Sequence, residues 1–460
     1  MSTITHSMKK TLLIIVLAGL SALKVPAQTS ANWTDYFQRT LSQSDFTDIP
    51  LPAGASAKIA ADEVANKRRT LWTAWQEAVR RQALPSLIAA GPLADSLRGA
   101  ITLPDSLEPN AIMPYYYGTK GSISMSGNTS VPTFLYLHGS GPKAHEWAAG
   151  ISWCLAFADA PSRYFIPQIP NEGGYYRWWQ RSKQWAWTWL WRQLMLQPDI
   201  DPDRIYLLGI SEGGYGSQRL ASFYADYLAA AGPMAGGEPL INAPAENLGH
   251  IGFSLLTGEQ DLAFCRNRYT QITGQTLDSL TQTGWGDYAH RVELQPGRGH
   301  GIDYRPTTPW LTQFRRTPCP RRFVWEDFAM DGCRRKGFYN IRPEKHYADS
   351  LRLRYEVNMS VPNEVDIAVS EVRYEAVETD TVWHLTLNWH KSFRPVSSPA
   401  LTIFFNEQLV DFSRPVTIRL NGRQVFRGRL KPTAGAMAES LATYGDPKRI
   451  FSAMVRIGDR

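Results

Sequence analysis

No C-x-x-C pair occurs anywhere in this sequence, and its only cysteines are Cys154, Cys265, Cys319 and Cys333. That spacing excludes the usual structural zinc motifs. It leaves room for one or two disulfides in an exported chain, with Cys319–Cys333 the most local candidate. Long apolar runs are also missing: after residue 27 no stretch has the length and composition of a transmembrane helix. Clustered basic charge is absent too. The formal charge of +7 includes three lysines within residues 1–27 and falls to +4 without them, spread along the chain. Such a mild, dispersed excess gives no footprint for nucleic-acid binding.

Aromatic residues are plentiful, with 16 Trp and 20 Tyr, which suggests ring surfaces at a binding site as well as in the core. The first 27 residues have the layout of an export signal: a basic Met8-Lys9-Lys10, an apolar Leu12 to Leu20, and the small-residue cleavage site Val25-Pro26-Ala27. The expectation is a secreted or periplasmic protein.

The stretch around which the chain is organised is Arg204 to Gly216. Ile205 to Leu208 reads as a buried parallel strand and runs directly into Gly209-Ile210-Ser211-Glu212-Gly213. A helical pattern follows from Ser217 to Ala231. Strand, G-x-S-x-G, helix is a nucleophile elbow: the turn strains the serine backbone, and glycines two residues either side let neighbouring chain approach. The serine hydroxyl is then exposed at a helix N-terminus, with the Glu212 amide free to donate to an oxyanion.

Three further segments fall in the order that such an elbow requires. His138-Gly139-Ser140-Gly141 follows the apolar run Val131 to Leu137, and its glycines let a second amide, near Ser140, approach a substrate carbonyl. His138 is expected to brace that loop. Gly252 to Leu256 reads as a strand leading to Thr257-Gly258-Glu259-Gln260-Asp261, so Asp261 sits where the acid of a triad belongs, with Glu259, Asp287 and Asp303 as rivals. Val292-Glu293-Leu294 leads to Gly299-His300-Gly301, whose flanking glycines leave His300 free to reach Ser211; His250 and His290 are the fallback bases. Between these lies an aromatic run. Tyr175, Tyr176, Trp178 and Trp179 on a loop are candidates for the wall of a substrate cleft, ahead of Trp185, Trp187, Trp189 and Trp191 on a helix.

These motifs resemble exported α/β-hydrolase-fold serine esterases, among them feruloyl and acetyl esterases and polyhydroxybutyrate-depolymerase-like proteins. The elbow with its Asp201-Pro202-Asp203-Arg204 lead-in also looks like the catalytic domain of prolyl-oligopeptidase-type peptidases, although the repeated blades of their β-propeller are lacking. The resemblance implies Ser211 as nucleophile, His300 as base, Asp261 as acid, and an oxyanion hole from the amides of Glu212 and Ser140. It implies no metal and no organic cofactor.

The expected fold is α/β: an α/β-hydrolase with an N-terminal helical extension and a small C-terminal all-β, sandwich-like domain. The expected division is a signal at 1–27, helices at 28–104, the catalytic domain at 105–345, and a β domain at 346–460, where alternation of period 2 sets in and Asn421-Gly422 marks a hairpin. The expected function is hydrolysis of carboxylic esters, on a small molecule or linked to a polysaccharide. The competing readings are a serine peptidase that would hold a free amino terminus through Glu172 or Glu238, and a carbohydrate-binding protein that uses the β domain.

Overall fold

The computed structural model describes residues 30–43, 49–95, 98–122, 130–345 and 347–458. The expected export signal lies outside them. Two helices open the described chain, α1 (Ser30–Ser42) and α2 (Val64–Arg80). Helix α2 buries Val64, Leu71, Ala74, Trp75, Ala78 and Val79, positions three and four apart that form one face.

The central sheet has nine strands: β1 (Gly91–Pro92), β2 (Arg98–Thr102), β3 (Ile112–Lys120), β4 (Thr133–Leu137), β5 (Ser162–Pro167), β6 (Ile205–Ile210), β7 (Ala230–Met234), β8 (Gly252–Gly258) and β9 (His290–Gln295). Their order is β1-β3-β5-β4-β6-β7-β8-β9, with β2 paired to β3. Strands β5, β4, β6, β7, β8 and β9 run parallel to one another; β3 is antiparallel to β5. Parallel strands need crossovers. These are α3 (Lys143–Ala156), α4 (Arg181–Leu196), α5 (Glu212–Phe223) and α6 (Arg266–Thr281). Because helices cover the sheet, β4, β7 and β8 are buried at every position rather than alternately. This strand order, with a sharp strand-to-helix turn at its centre, is the α/β-hydrolase fold.

A short helix, α7 (Thr307–Leu311), leads to the C-terminal sheets. Six strands form one of them: β10 (Arg322–Asp327), β12 (Leu353–Asn358), β13 (Glu364–Thr379), β14 (Thr386–Pro395), β16 (Val416–Leu420) and β17 (Arg423–Gly428). The other contains β11 (Ile341–Pro343), β15 (Leu401–Phe405) and β18 (Ala453–Ile457), with α8 (Ala434–Tyr444) preceding β18. Strands β12 and β16 alternate buried and half-buried residues, which is the period-2 pattern of the sequence.

Several expectations need correction. The helix read from Ser217 to Ala231 ends at Phe223, and Ala230–Met234 is strand β7; the run Leu228-Ala229-Ala230-Ala231 suits a buried strand as well as a helix. Sheet pairing does not respect a boundary at 345, since β10 pairs with β12 and β11 with β15. Strands β1 and β2, placed by sequence in the helical extension, join the central sheet through β3. All four cysteines are unpaired: Cys319 Sγ lies 3.5 Å from the Asn406 amide, and the Cys333 backbone exchanges hydrogen bonds with that of Met330. Nor is the tail separately packed. One continuous core holds Trp75 and Trp189 together with Leu207, Trp325, Ile403 and Met437.

Candidate active site

Strand β6 ends at Ile210, and Ser211 takes φ 58° and ψ −114° before α5 begins at Glu212. This is a left-handed region that a non-glycine residue avoids unless its surroundings hold it there. The neighbours must therefore be small: a Cβ on Gly213 would stand 2.0 Å from the Leu137 carbonyl oxygen. As the first residue of α5, Glu212 has no acceptor for its amide within the helix.

His300 lies on the loop after β9, with Nε2 3.0 Å from Ser211 Oγ and Nδ1 2.7 Å from Asp261 Oδ2. Asp261 follows β8. The loops after β8 and β9 are joined by the Gln260 amide, which donates to the Arg298 carbonyl at 2.8 Å, and at Gly258 they come so close that a Cβ would meet the Gly299 oxygen at 1.9 Å. Burial alone would raise the Asp261 carboxyl. The His300 hydrogen bond and the Arg266 guanidinium, 2.8 Å from Oδ1, hold it below its ordinary value. The rivals lie elsewhere: Glu259 accepts from the Gly297 amide, Asp303 pairs with Arg305, and Asp287 lies near His250. Of the fallback bases, His250 bonds the Arg322 carbonyl and His290 pairs with Asp278.

The His138-Gly139-Ser140-Gly141 loop stands beside the elbow, Gly139 placing a Cβ position 3.4 Å from Ser211 Cβ. His138 is wholly buried. Its Nε2 accepts from the Ile169 amide at 3.0 Å, so the ring proton sits on Nδ1 and is donated to the Gly139 carbonyl at 2.7 Å. Burial pushes this imidazole down to about 4, which keeps it neutral near pH 7. It braces the loop and is remote from proton transfer. Ser140 itself is exposed.

The aromatic loop is only partly a wall. Trp178 is fully buried and donates its indole N–H to the His138 carbonyl at 3.0 Å, so it cannot line a cleft. Tyr176 is 6% exposed; its hydroxyl lies 2.7 Å from the Gly139 oxygen and 2.9 Å from that of Gly141. It supports the loop rather than meeting a ligand. Tyr175 remains exposed, and half-buried Trp179 lies under the Arg219 guanidinium at 3.8 Å. Adjacent aromatic pairs on a loop carry no periodicity that separates wall from core, which is why sequence grouped all four.

The Glu212 carboxyl, Arg177 and Arg266 have placements near Ser211 and Asp261 that sequence did not single out. Burial raises the Glu212 carboxyl to about 7 although Arg177 lies 3.6 Å away, and Glu238 adds to the rise. The group is neutral below that value and negative above it, one residue beyond Ser211. The unmodified protein is therefore expected to show a fall in kcat/KM above about pH 7 that Glu212→Gln lacks, read from a pH–rate profile. Stability follows the same sign. Because folding raises this carboxyl from 4.5 to about 7, its contribution is fully present below 4.5 and declines as pH rises to 7.

No family model matches the sequence, and no curated protein matches it either. Among solved structures, a thermostable esterase is similar over 48% of this chain and 64% of its own, at 20% identity and a TM-score of 0.37. The chain thus spans less than two thirds of that esterase. A ferulic acid esterase from Anaeromyces mucronatus, solved with ferulic acid, is similar over 50% of this chain and 97% of its own, at 13% identity and a TM-score of 0.34. For the poly(3-hydroxybutyrate) depolymerase LpqC from Bordetella parapertussis the figures are 44%, 84%, 17% and 0.33.

Proposed function

We propose that this protein is a serine hydrolase of carboxylic esters, with Ser211 as nucleophile, His300 as general base and Asp261 as the acid that orients it. The observation that carries the reading is the unbroken line of contacts, 3.0 Å from Ser211 Oγ to His300 and 2.7 Å from His300 to Asp261, built on a strained elbow. His300 takes the hydroxyl proton as Oγ attacks the carbonyl, and Asp261 stabilises the imidazolium so formed. The amides of Glu212 and Ser140 receive the oxyanion. Collapse of the tetrahedral intermediate expels the alcohol, protonated by His300. Water activated through the same imidazole then releases the acid.

The reading extends to export, on the pattern of residues 1–27, and to acyl groups carried on a polysaccharide, on export and aromatic content. No described helix is long and apolar enough to cross a membrane. A peptidase holding a free amino terminus is disfavoured. Glu238 is ion-paired with Arg219 and bonded to Asn242, and exposed Glu172 accepts from the Lys143 amide.

A fluorophosphonate probe is expected to label Ser211, and p-nitrophenyl acetate, p-nitrophenyl butyrate or methyl ferulate to be turned over in preference to aminoacyl-p-nitroanilides. Turnover of the anilides alone would replace the esterase reading by the peptidase one. An unlabelled Ser211 in the folded protein would remove both.

A further inference from the structure

The turn between β13 and β14 is fastened to the segment that follows Asp261. Arg268 pairs with Glu378 at 2.6 Å, and the Tyr269 hydroxyl donates to the Thr386 carbonyl at 2.8 Å. The turn is preformed, because Asp380 Oδ2 accepts from the amides of Val382 and Trp383 at 2.8 and 2.6 Å. At its tip the Trp383 ring lies 4.6 Å from that of Phe264, tilted by 41°.

Phe264 is held there at some expense. It and Cys265 are consecutive non-glycine residues in the left-handed region, at φ 54° and 57°. Such strain is ordinarily offset by burial of the side chain, yet the Phe264 ring is 50% exposed and Trp383 41%. Core packing does not account for them. Their position does point to a ligand: the Phe264 ring lies 5.2 Å from the Arg266 guanidinium, which is bonded to Asp261. Leu262 and Val382, beside them in sequence, are 64% and 76% exposed and offer no side-chain hydrogen-bonding group.

We propose that Phe264 and Trp383 form an aromatic subsite beside Arg266 and Asp261 that receives an aryl ring carried by the ester, an inference that rests on the esterase reading. One ring comes from the loop after the candidate acid and the other from the C-terminal sheet, so that sheet contributes to substrate choice. The apolar flanks favour an aryl group over a hydroxylated sugar, and the Asp380 carboxylate is already engaged by the turn.

The test compares methyl ferulate with methyl acetate, which share a leaving group, in Phe264→Gly and Trp383→Ala. Glycine suits the left-handed backbone, so Phe264→Gly is expected to retain its thermal midpoint. The ratio of kcat/KM for ferulate over acetate is expected to fall about three- to ten-fold in each variant, the range that aromatic contacts supply. An unchanged ratio overturns the proposal, and so does a parallel fall on both esters, which would mark a brace for Asp261 and no subsite. If the unmodified protein hydrolyses neither ester, the esterase reading fails separately. Ferulate binding to Ser211→Ala, followed by ligand NMR, then decides the subsite: a weaker Kd on adding Phe264→Gly supports it and an unchanged one overturns it. Binding of methyl xyloside in place of ferulate, lost in the same variant, overturns the aryl assignment.

Discussion

Ser211→Ala is expected to lower kcat on p-nitrophenyl acetate by roughly 10⁴- to 10⁶-fold while the far-ultraviolet circular dichroism is unchanged. Among the described residues, Ser211 is the one whose Oγ stands 3.0 Å from His300 Nε2, so no other described hydroxyl is placed to take over. Asp261→Asn is expected to cost about 10⁴-fold, because an amide no longer favours the tautomer with the His300 proton on Nδ1. The two losses should not add. Once the nucleophile is gone, neither the acid nor the base has a proton to move, and the double variant should match Ser211→Ala. A double variant much slower than Ser211→Ala would mean that Asp261 acts outside this line of contacts.

The second large effect is on stability. Asp226, Asp446 and Asp203 face Arg316, Arg335 and Arg449 in a buried network where the helical turn after α5 meets the chain after α8. Asp226 accepts from Arg335 at 3.0 Å and pairs with Arg449; Asp446 accepts from Arg449 at 2.7 Å and from Arg316 at 2.6 Å; Arg316 also reaches Asp203 at 3.0 Å. Asp226, Asp446 and Arg449 are wholly buried. Assembling such charges in the interior gains little over apolar packing, but deleting one member strands its partners without water. Asp226→Ala and Asp446→Ala are each expected to lose about 3–5 kcal/mol in urea denaturation. Burial would raise the Asp446 carboxyl, but Arg316 and Arg449 hold it well below the ordinary carboxylate range. Its stabilisation is thus present above that range and lost as pH falls below it. A loss near 0.5 kcal/mol in either variant, the scale of an exposed pair, would show that the network is solvated.

What could be read from the sequence depended on how local each signal was. Ser211, Asp261 and His300 each follow a short apolar strand on a loop containing glycine, so position in the chain order singled them out before any contact was known. The His138 loop was legible for the same reason. Trp178 and Tyr176 were not, because only the fold shows that their polar tips turn inward to the loop's carbonyls. Arg266 follows Asp261 by five residues with nothing to mark it, and its partner oxygen is apparent only in three dimensions. The pairing of β10 with β12 likewise depends on neighbours brought together by folding, so a boundary drawn where the hydrophobic period changes fell too late.

The Tyr176 hydroxyl has a consequence for the timing of the proposed reaction. In a trans peptide the carbonyl and the next residue's N–H lie in one plane and point in opposite directions. With the Gly139 oxygen held by His138 on one side and Tyr176 on the same carbonyl, the Ser140 N–H must face away from both rings. Its dipole is fixed before any substrate arrives. In the proposed reaction, water around a developing oxyanion would have to reorient as the charge forms, whereas this peptide plane is already turned.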